Sequence, residues 1–561
     1  RVSNSEDPLE TPVLNENHAT RVAGTLIASG VDPNAEGMAP GASLKNFDWN
    51  DDHAEMTEEA NNGLLLSVHP YGYQAGWNKI GNDWYWQGGA SETEDFSFGF
   101  YDSNYAKVWD EIAYNAPNYL IIAPAGNQRG EIAPQSVIDS ESYFVYDGSK
   151  YVLCSDLNGG CSGNYEKDGG SYGFDSIAYN ALAKNVITVG SVDNSKNLST
   201  NTGFGPTDDG RIKPDIVAKG VGVKSSSGSA DNAYSTSSGT SFAVPMIGGS
   251  IGLLMEHQQN LHPGRTLLSS TWKALVIHTA EDLLPTGPDY QYGWGLMNTE
   301  KAAQVMSENA SNGEIHIREA VLSQNQTIQF PIQASGSEPL KVTIAWTDPA
   351  GTPVSSTTPN PTDLMLVNDL DLRLEDTGST IYYPYTLDPS NPSNSAVQNA
   401  DNSIDNVETV YVSNPDPAAG ESFTVTVSHK GSALSGSQQN FSIIITGNEP
   451  VSYDQQIAEG SGGGWRFIAS PGVSTYGELL AAIWTQGATG SDAPSVSSSL
   501  SNVYKYDGTA DEYLPIADLG INAATGSGFA VYVYADDEND GIADSWPKTL
   551  SISGLENIGD I

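Results

Sequence analysis

Basic residues are scarce in this chain. Lys and Arg number 24 against 69 Asp and Glu, a formal charge of −45. That balance excludes nucleic acid and anionic membrane as partners, because both would be repelled. Cysteine is scarcer still, with only Cys154 and Cys161. Two cysteines closing one short Gly-containing loop suit a local disulfide in an oxidising compartment; two free thiols are the alternative, and no histidine lies near enough in sequence to suggest a metal site. No apolar run approaches the roughly 18 residues that cross a bilayer. Histidine occurs eight times, so a general base has few candidates. Glycine, by contrast, is abundant, at 58 of 561 residues and set among Asn, Asp, Ser and Thr, the composition of a chain with many turns. A hydrophobic fraction of 38% still supports cores in about two to four domains.

Apolar spacing orders the first part of the chain. Residues 18–29 carry Val22, Ala23, Leu26 and Ile27 at helical intervals, and a turn at 37–43 leads into a strand at Leu44. A helix is expected over 55–65 and a short strand over 64–68. The Trp-, Tyr- and Gly-rich stretch 71–102 reads as a long insertion without regular elements. Further strands are expected at 119–123, 186–190 and 216–217, and helices near 105–113 and at 176–183, 242–257, 271–280 and 298–306. Strands alternating with helices imply an α/β fold, a parallel sheet covered on both faces.

From about residue 313 the period changes to two. Val342, Ile344 and Trp346 alternate with polar or small neighbours, as do Phe423, Val425 and Val427, and Phe441, Ile443 and Ile445. That pattern, with frequent turn residues, is the signature of an antiparallel β-sandwich. A Gly-rich break at 460–464 lies near the start of a small mixed module, with a short helix at 477–484 and a strand through Phe529, Val531 and Val533. The expected domains are 1–308, 309–449 and 450–561.

Three short motifs carry the chemistry. The run 239–245, Gly-Thr-Ser-Phe-Ala-Val-Pro, places Ser241 where a turn becomes a helix. Its hydroxyl is exposed there, and its N–H is an orphan donor at the positive dipole end, which suits a nucleophile that must hold an oxyanion. Gly-Thr-Ser before a helix is also an ordinary cap, so partners are required. His18 opens a helix of small residues, His-Ala-Thr-Arg-Val-Ala-Gly, and Asn127 follows Ala125 and Gly126 beyond a strand, where α/β sheets gather ligands. The other seven histidines read as surface or core residues.

His18, Asn127 and Ser241, in that order and with these flanks, resemble the subtilases, the subtilisin-like serine proteases. The runs 185–190 and 210–218 look like subtilase framework as well, and the likeness covers residues 1–305. The resemblance implies a subtilisin-like parallel sheet followed by a jelly-roll-like β-sandwich, as in large secreted bacterial members. It implies that Ser241 attacks the scissile carbonyl, that His18 moves the proton, and that Asn127 with the Ser241 N–H binds the oxyanion. Substrate would add a strand along Leu66, Ser67 and Val68, with Gly72 and Gly126 nearby. Two positions depart from the motif: Ala19 replaces its glycine and Arg21 its second histidine. A third departure concerns the orienting aspartate. The residues before His18 contain only Asp7, in a polar context with no strand ahead of it; no role is assigned to it, and the resemblance puts the triad aspartate upstream of Arg1. The sequence therefore reads as an internal fragment, nearly inactive by itself, of an extracellular monomeric enzyme acting on polypeptides. A non-catalytic subtilase-fold binding or adhesion protein is the alternative.

Calcium is the expected cofactor, in a structural role. Asp536, Glu538, Asp540 and Asp544 alternate around Gly541 as in a Ca²⁺ loop, although the closing Glu of an EF-hand is absent. In the sandwich, Asp369, Asp371 and Asp405 form a second, weaker set, for which a polar strand face is the alternative.

Overall fold

The computed structural model describes residues 2–4, 16–47, 49–89, 94–157, 159–161, 165–283, 285–311, 315–354, 359–415, 421–431, 433–449, 451–457, 464–469, 474–481, 483–495, 497, 500–507, 512–523, 528–533 and 548–554. The chain begins with β1 (Val2–Asn4), α1 (Glu16–Ile27), β2 (Leu44–Asn46), α2 (Asp52–Asn61) and β3 (Leu66–Val68). The stretch expected to be irregular forms a hairpin, β4 (Trp77–Ile80) and β5 (Asp83–Gly89). Then follow α3 (Ala106–Asn115), β6 (Leu120–Pro124), α4 (Gln135–Asp139), β7 (Phe144–Tyr146), β8 (Tyr151–Leu153), β9 (Ile187–Val192), β10 (Ile216–Lys219), β11 (Val223–Ser226) and β12 (Tyr234–Ser237). Three helices, α5 (Thr240–Leu261), α6 (Ser269–Thr279) and α7 (Thr299–Ser311), complete this part.

The central sheet is parallel, in the order β10-β9-β6-β3. Strand β6 shows why its sequence is apolar throughout. Leu120 and Ile122 face the core built on α5 and α6, while Ile121 and Ala123 face the core of α2 and α3. Both faces are covered, as the α/β pattern requires. Strands β1 and β2 pair in parallel as a separate two-stranded sheet. The expected helix at 176–183 is only a 3₁₀ turn, Tyr179–Leu182, and helix α2 starts at Asp52, three residues before the expected onset.

The aromatic stretch is therefore an ordered unit. Its hairpin joins β7 and β8, which come from the other side of β6 in sequence, in a sheet of order β4-β5-β7-β8. Trp77, Trp86, Tyr143, Val145, Cys154 and Tyr165 fill its core. The disulfide reading holds: Cys154 is bonded to Cys161 beside that core.

Beyond residue 315 lies the sandwich. One sheet is β13-β20-β15-β18 and the other β17-β16-β19-β14-β21, where β13 is Ile317–Ser323, β14 Ile328–Ala334, β15 Leu340–Trp346, β16 Leu370–Asp376, β17 Ile381–Tyr382, β18 Val407–Val412, β19 Ser422–His429, β20 Gln438–Thr446 and β21 Asn448–Glu449. The alternating residues Val342, Ile344, Phe423, Val425, Phe441 and Ile443 meet in one core. Helix α6 lies against β15 and β20 and is buried along its whole length, so the two layers share an interface. Polar groups lock it: Lys184 Nζ donates to Asp348 Oδ2, Pro349 O and Met365 O, each at 2.6 Å, and His278 bridges Thr343 and Thr446 hydroxyls at 2.9 Å each. A third unit holds a four-stranded sheet of Gly464–Ala469, Val503–Asp507, Glu512–Pro515 and Gly528–Val533, with the short helix Tyr476–Leu479.

Candidate active site

Ser241 is the second residue of α5, half-buried, and follows Gly239 and Thr240, which are buried. The chain turns into the helix at Gly239 with φ of 145°, a conformation open to glycine. A side chain at this point would also lie 3.4 Å from Asn127 Oδ1. Asn127, beyond the end of β6, is held by that same turn. Its Oδ1 accepts from Thr240 N at 2.9 Å and from Thr240 Oγ1 at 3.2 Å. With the oxygen committed to Thr240, the Nδ2 group is the end of the amide left without a hydrogen bond among the described residues, 3.6 Å from where a Cβ on Gly239 would lie. Gln128 steadies the loop: Asn127 N donates to its Oε1 at 2.8 Å, and its Nε2 donates to Gln74 at 2.9 Å.

His18 stands exposed in the first turn of α1. Its ring meets Phe242, the neighbour of Ser241, edge-on with centroids 5.8 Å apart. The small residues of α1 allow the helix to lie close on β11, where Ser225 and Ser226 hydroxyls donate to Arg21 O at 2.7 Å and Thr20 O at 3.2 Å. Partial burial, and then the Arg21 charge one turn on, hold the His18 imidazole below its ordinary value. A lowered pKa favours the neutral imidazole, the form able to accept a proton. Arg21 itself donates to Ser237 Oγ at 2.6 Å. Among the described residues no carboxylate is hydrogen-bonded to His18; Asp7 lies outside them.

The expected substrate residues are near neighbours in the fold. Leu66, Ser67 and Val68 form β3, the last strand of the central sheet, with β6 on one side and no strand paired on the other among the described residues. Ser67 Oγ accepts from the Tyr119 hydroxyl at 2.6 Å. Gly72 lies in the following loop, 3.6 Å by its missing side chain from Asn180 Oδ1, and Gly126 immediately precedes Asn127.

Across residues 1–295 the chain matches the subtilase family of peptidases, more than half its length. It belongs to the subtilase family. Among relatives of this subtilase, Subtilisin DY of Bacillus licheniformis is 30% identical over 179 residues, covering 32% of this chain and 54% of its own. The C5a peptidase of Streptococcus pyogenes is 37% identical over 157 residues, covering 25% and 13%. The serine protease/ABC transporter B family protein tagD of Dictyostelium discoideum is 23% identical over 542 residues, covering 77% and 29%. The chain spans less than two thirds of each of these relatives. The self-cleaved protease domain of PatA, a solved structure, covers 55% of the chain and 88% of its own length at 16% identity and a TM-score of 0.34, too low to bear on the fold.

The metal expectations fare differently. Asp536, Glu538, Asp540 and Asp544 lie outside the described residues. The weaker sandwich set does not converge. Asp371 pairs with Arg373 at 3.3 Å and Lys430 at 3.0 Å, with Asp401 against the same two cations. Asp405 instead faces the α/β layer, accepting from Ile212 N at 2.8 Å and Asn402 Nδ2 at 3.0 Å. Asp369 is pushed up to about 7 by burial and then by Asp371 and Asp348. Among the described residues no three His, Cys, Asp or Glu side chains are arranged to hold a metal. Sequence reasoning missed the part Thr240 plays. It stands inside the motif that marks Ser241, and its side chain and backbone both orient Asn127.

Proposed function

We propose that this chain carries the catalytic layer of a secreted serine endopeptidase acting on polypeptides. In this reading Ser241 Oγ bonds to the scissile carbonyl carbon as its proton passes to His18. The C–N bond then breaks as His18 returns the proton to the leaving amine, and water repeats the sequence on the acyl ester. The oxyanion is held by Asn127 Nδ2 and the Ser241 N–H, both fixed before substrate arrives, and one such donor is worth about 10²–10³-fold in turnover. The observation that carries the reading is the double contact of Thr240 on Asn127 Oδ1. It turns a side-chain amide into an oriented donor at the turn that carries the half-buried Ser241. The reading also calls for a carboxylate behind His18, which we place on a strand preceding residue 1; its loss would lower turnover about 10⁴-fold. Its absence from the described residues is the one feature that favours the alternative, a non-catalytic binding protein.

A fluorophosphonate probe applied to the longer chain, including the residues ahead of Arg1, separates the two. Labelling should occur at Ser241, vanish in Ser241→Ala and slow about 10²-fold in Asn127→Ala. A folded protein that takes no label would establish the binding reading instead.

A further inference from the structure

The loop that carries Asn127 is fastened on one side by the stretch running out of β9. Ala125 N donates to Val189 O at 2.9 Å and Gly203 N to Gly126 O at 3.2 Å. Arg129 donates to Thr202 O at 2.6 Å, and to Ser199 O and Thr200 O at 2.9 and 2.8 Å. Between these points lies a joint. Gly126, with φ of 92°, immediately precedes Asn127, and glycine leaves the backbone free to turn there. The N–H of Asn127 finds its acceptor in the next side chain, Gln128 Oε1, at 2.8 Å. A Cβ on Gly126 would lie 2.9 Å from that oxygen, so the glycine is also what lets Gln128 fold back over the loop.

From there Gln128 reaches the opposite wall. Its Nε2 donates to Gln74 Oε1 at 2.9 Å, on the segment that leaves β3. The Gln128 amide has one workable orientation, because only its oxygen can accept from the Asn127 N–H. Gln74 is exposed, but its segment is anchored before and after it. Before it, His69 contacts Ser67 Oγ at 2.7 Å through Nε2 and the Tyr71 hydroxyl at 2.8 Å through Nδ1. After it, Gly76 N donates to Asp95 Oδ2 at 2.6 Å, and Trp77 N to both Asp168 oxygens at 3.0 and 2.9 Å. The bridge thus runs from an anchored segment to the residue beside Asn127. We propose that Gln128 and Gln74 are positioning residues for the oxyanion donor: Gln74 fixes the Gln128 amide, and Gln128 fixes the main chain of Asn127. This rests on the protease reading above. Thr240 holds the Asn127 side chain and the glutamine pair holds its backbone, so the amide is in place before charge develops on the substrate oxygen. Losing one of the two supports lets it shift, and a misplacement of about 1 Å can cost about 10²-fold in rate.

The test uses the longer chain, including the residues ahead of Arg1, and a peptide substrate with a chromogenic leaving group. Gln128→Met keeps the length of the side chain and removes both hydrogen bonds. It should lower kcat about tenfold and leave KM within about twofold, the signature of an interaction that matters in the transition state. Gln74 is exposed, so its variants probe the bridge without the fold. Gln74→Met should lower kcat about threefold, whereas Gln74→Glu, which still offers an oxygen to Gln128 Nε2, should stay within about twofold of the wild type. In an Asn127→Ala background Gln128→Met should cost nothing further, because its effect passes through Asn127. The inference is overturned if Gln128→Met turns over like the wild type, if its full loss persists in the Asn127→Ala background, or if Gln74→Glu is as slow as Gln74→Met. Fluorophosphonate labelling of the wild type tells these failures from a failure of the protease reading: a labelled wild type confines them to the glutamine bridge, and a folded one that takes no label overturns both.

Discussion

Asp208 and Asp209 are neighbours in sequence and opposites in environment. Asp209 receives Arg211 Nε on both oxygens, at 3.0 and 2.9 Å, and Thr207 Oγ1 at 2.6 Å. Burial acts to raise its carboxyl, but the Arg211 guanidinium wins and holds it below the usual carboxylate range. Asp208 has no such partner; burial, then Asp175 and Asp209, push it up to about 9, and Asp175 rises to about 8 through burial and Glu94. The paired arrangement recurs at two other buried acids. Asp215 lies between Lys213 at 2.6 Å and Lys273 at 2.8 Å, and Lys184 meets Asp348 at 2.6 Å with no exposed surface on either side chain. The fold thus supplies a counter-charge to Asp209, Asp215 and Asp348, holds Asp95, Asp168 and Asp289 by backbone N–H groups instead, and gives the Asp175–Asp208 pair no cation within ion-pair distance among the described residues.

Breaking the paired side should give the largest effect. Arg211→Met leaves Asp209 buried without its cation and should cost about 3–5 kcal/mol in urea unfolding. A variant as stable as the wild type would show that the pairing is incidental. The unpaired side responds in the other direction. A carboxyl whose folded pKa is raised contributes its full stability below its unfolded pKa, near 4, and loses it as pH rises toward the folded value. Asp208→Asn should therefore gain on the wild type as pH climbs from about 4 to about 9, reaching about 1–3 kcal/mol, the usual cost of an unsatisfied buried polar group. A gap that ignores pH would undo the contrast. The smallest effect concerns a buried base. Burial, and then the positive charges of Lys341 and Lys301, hold His278 well below its ordinary value. Its depressed pKa means that the stability it confers when neutral is present above about 6.5 and is lost as pH falls below that. Between pH 7.5 and 5.5 the wild type should lose about 1 kcal/mol more than His278→Asn, measured by unfolding at both pH values.

Much of this architecture was legible because burial writes itself into period. The all-apolar β6 needed two covered faces, and the alternating Val342, Ile344, Phe423 and Val425 needed one. The aromatic sheet was not legible, because its strands are three to seven residues long and β5 finds β7 only across the intervening core strand β6. Glycine and tryptophan density looked like irregularity, whereas the tryptophans were the core. The four-residue turn at Tyr179–Leu182 kept a helical pattern too short to become a helix. At the candidate site, the motifs located His18, Asn127 and Ser241 individually, and Asn127 lies in hydrogen-bond contact with the turn that carries Ser241. The grip of Thr240 on Asn127, and ion pairs such as Lys184–Asp348, join residues more than a hundred positions apart and leave no local trace in the sequence.

The aromatic sheet also has a kinetic meaning. Its strands come from two segments separated by α3 and β6, so β5 and β7 cannot pair until a long loop has closed. Pairing β3 with β6 brings those segments together, because β4 and β5 leave from the end of one and β7 from the end of the other. Trp77 and Trp86, almost wholly buried between the aromatic rings of Tyr143 and Tyr165, should become buried late in refolding, after the parallel layer has assembled. Their fluorescence would mark the last closure of the chain around Asn127.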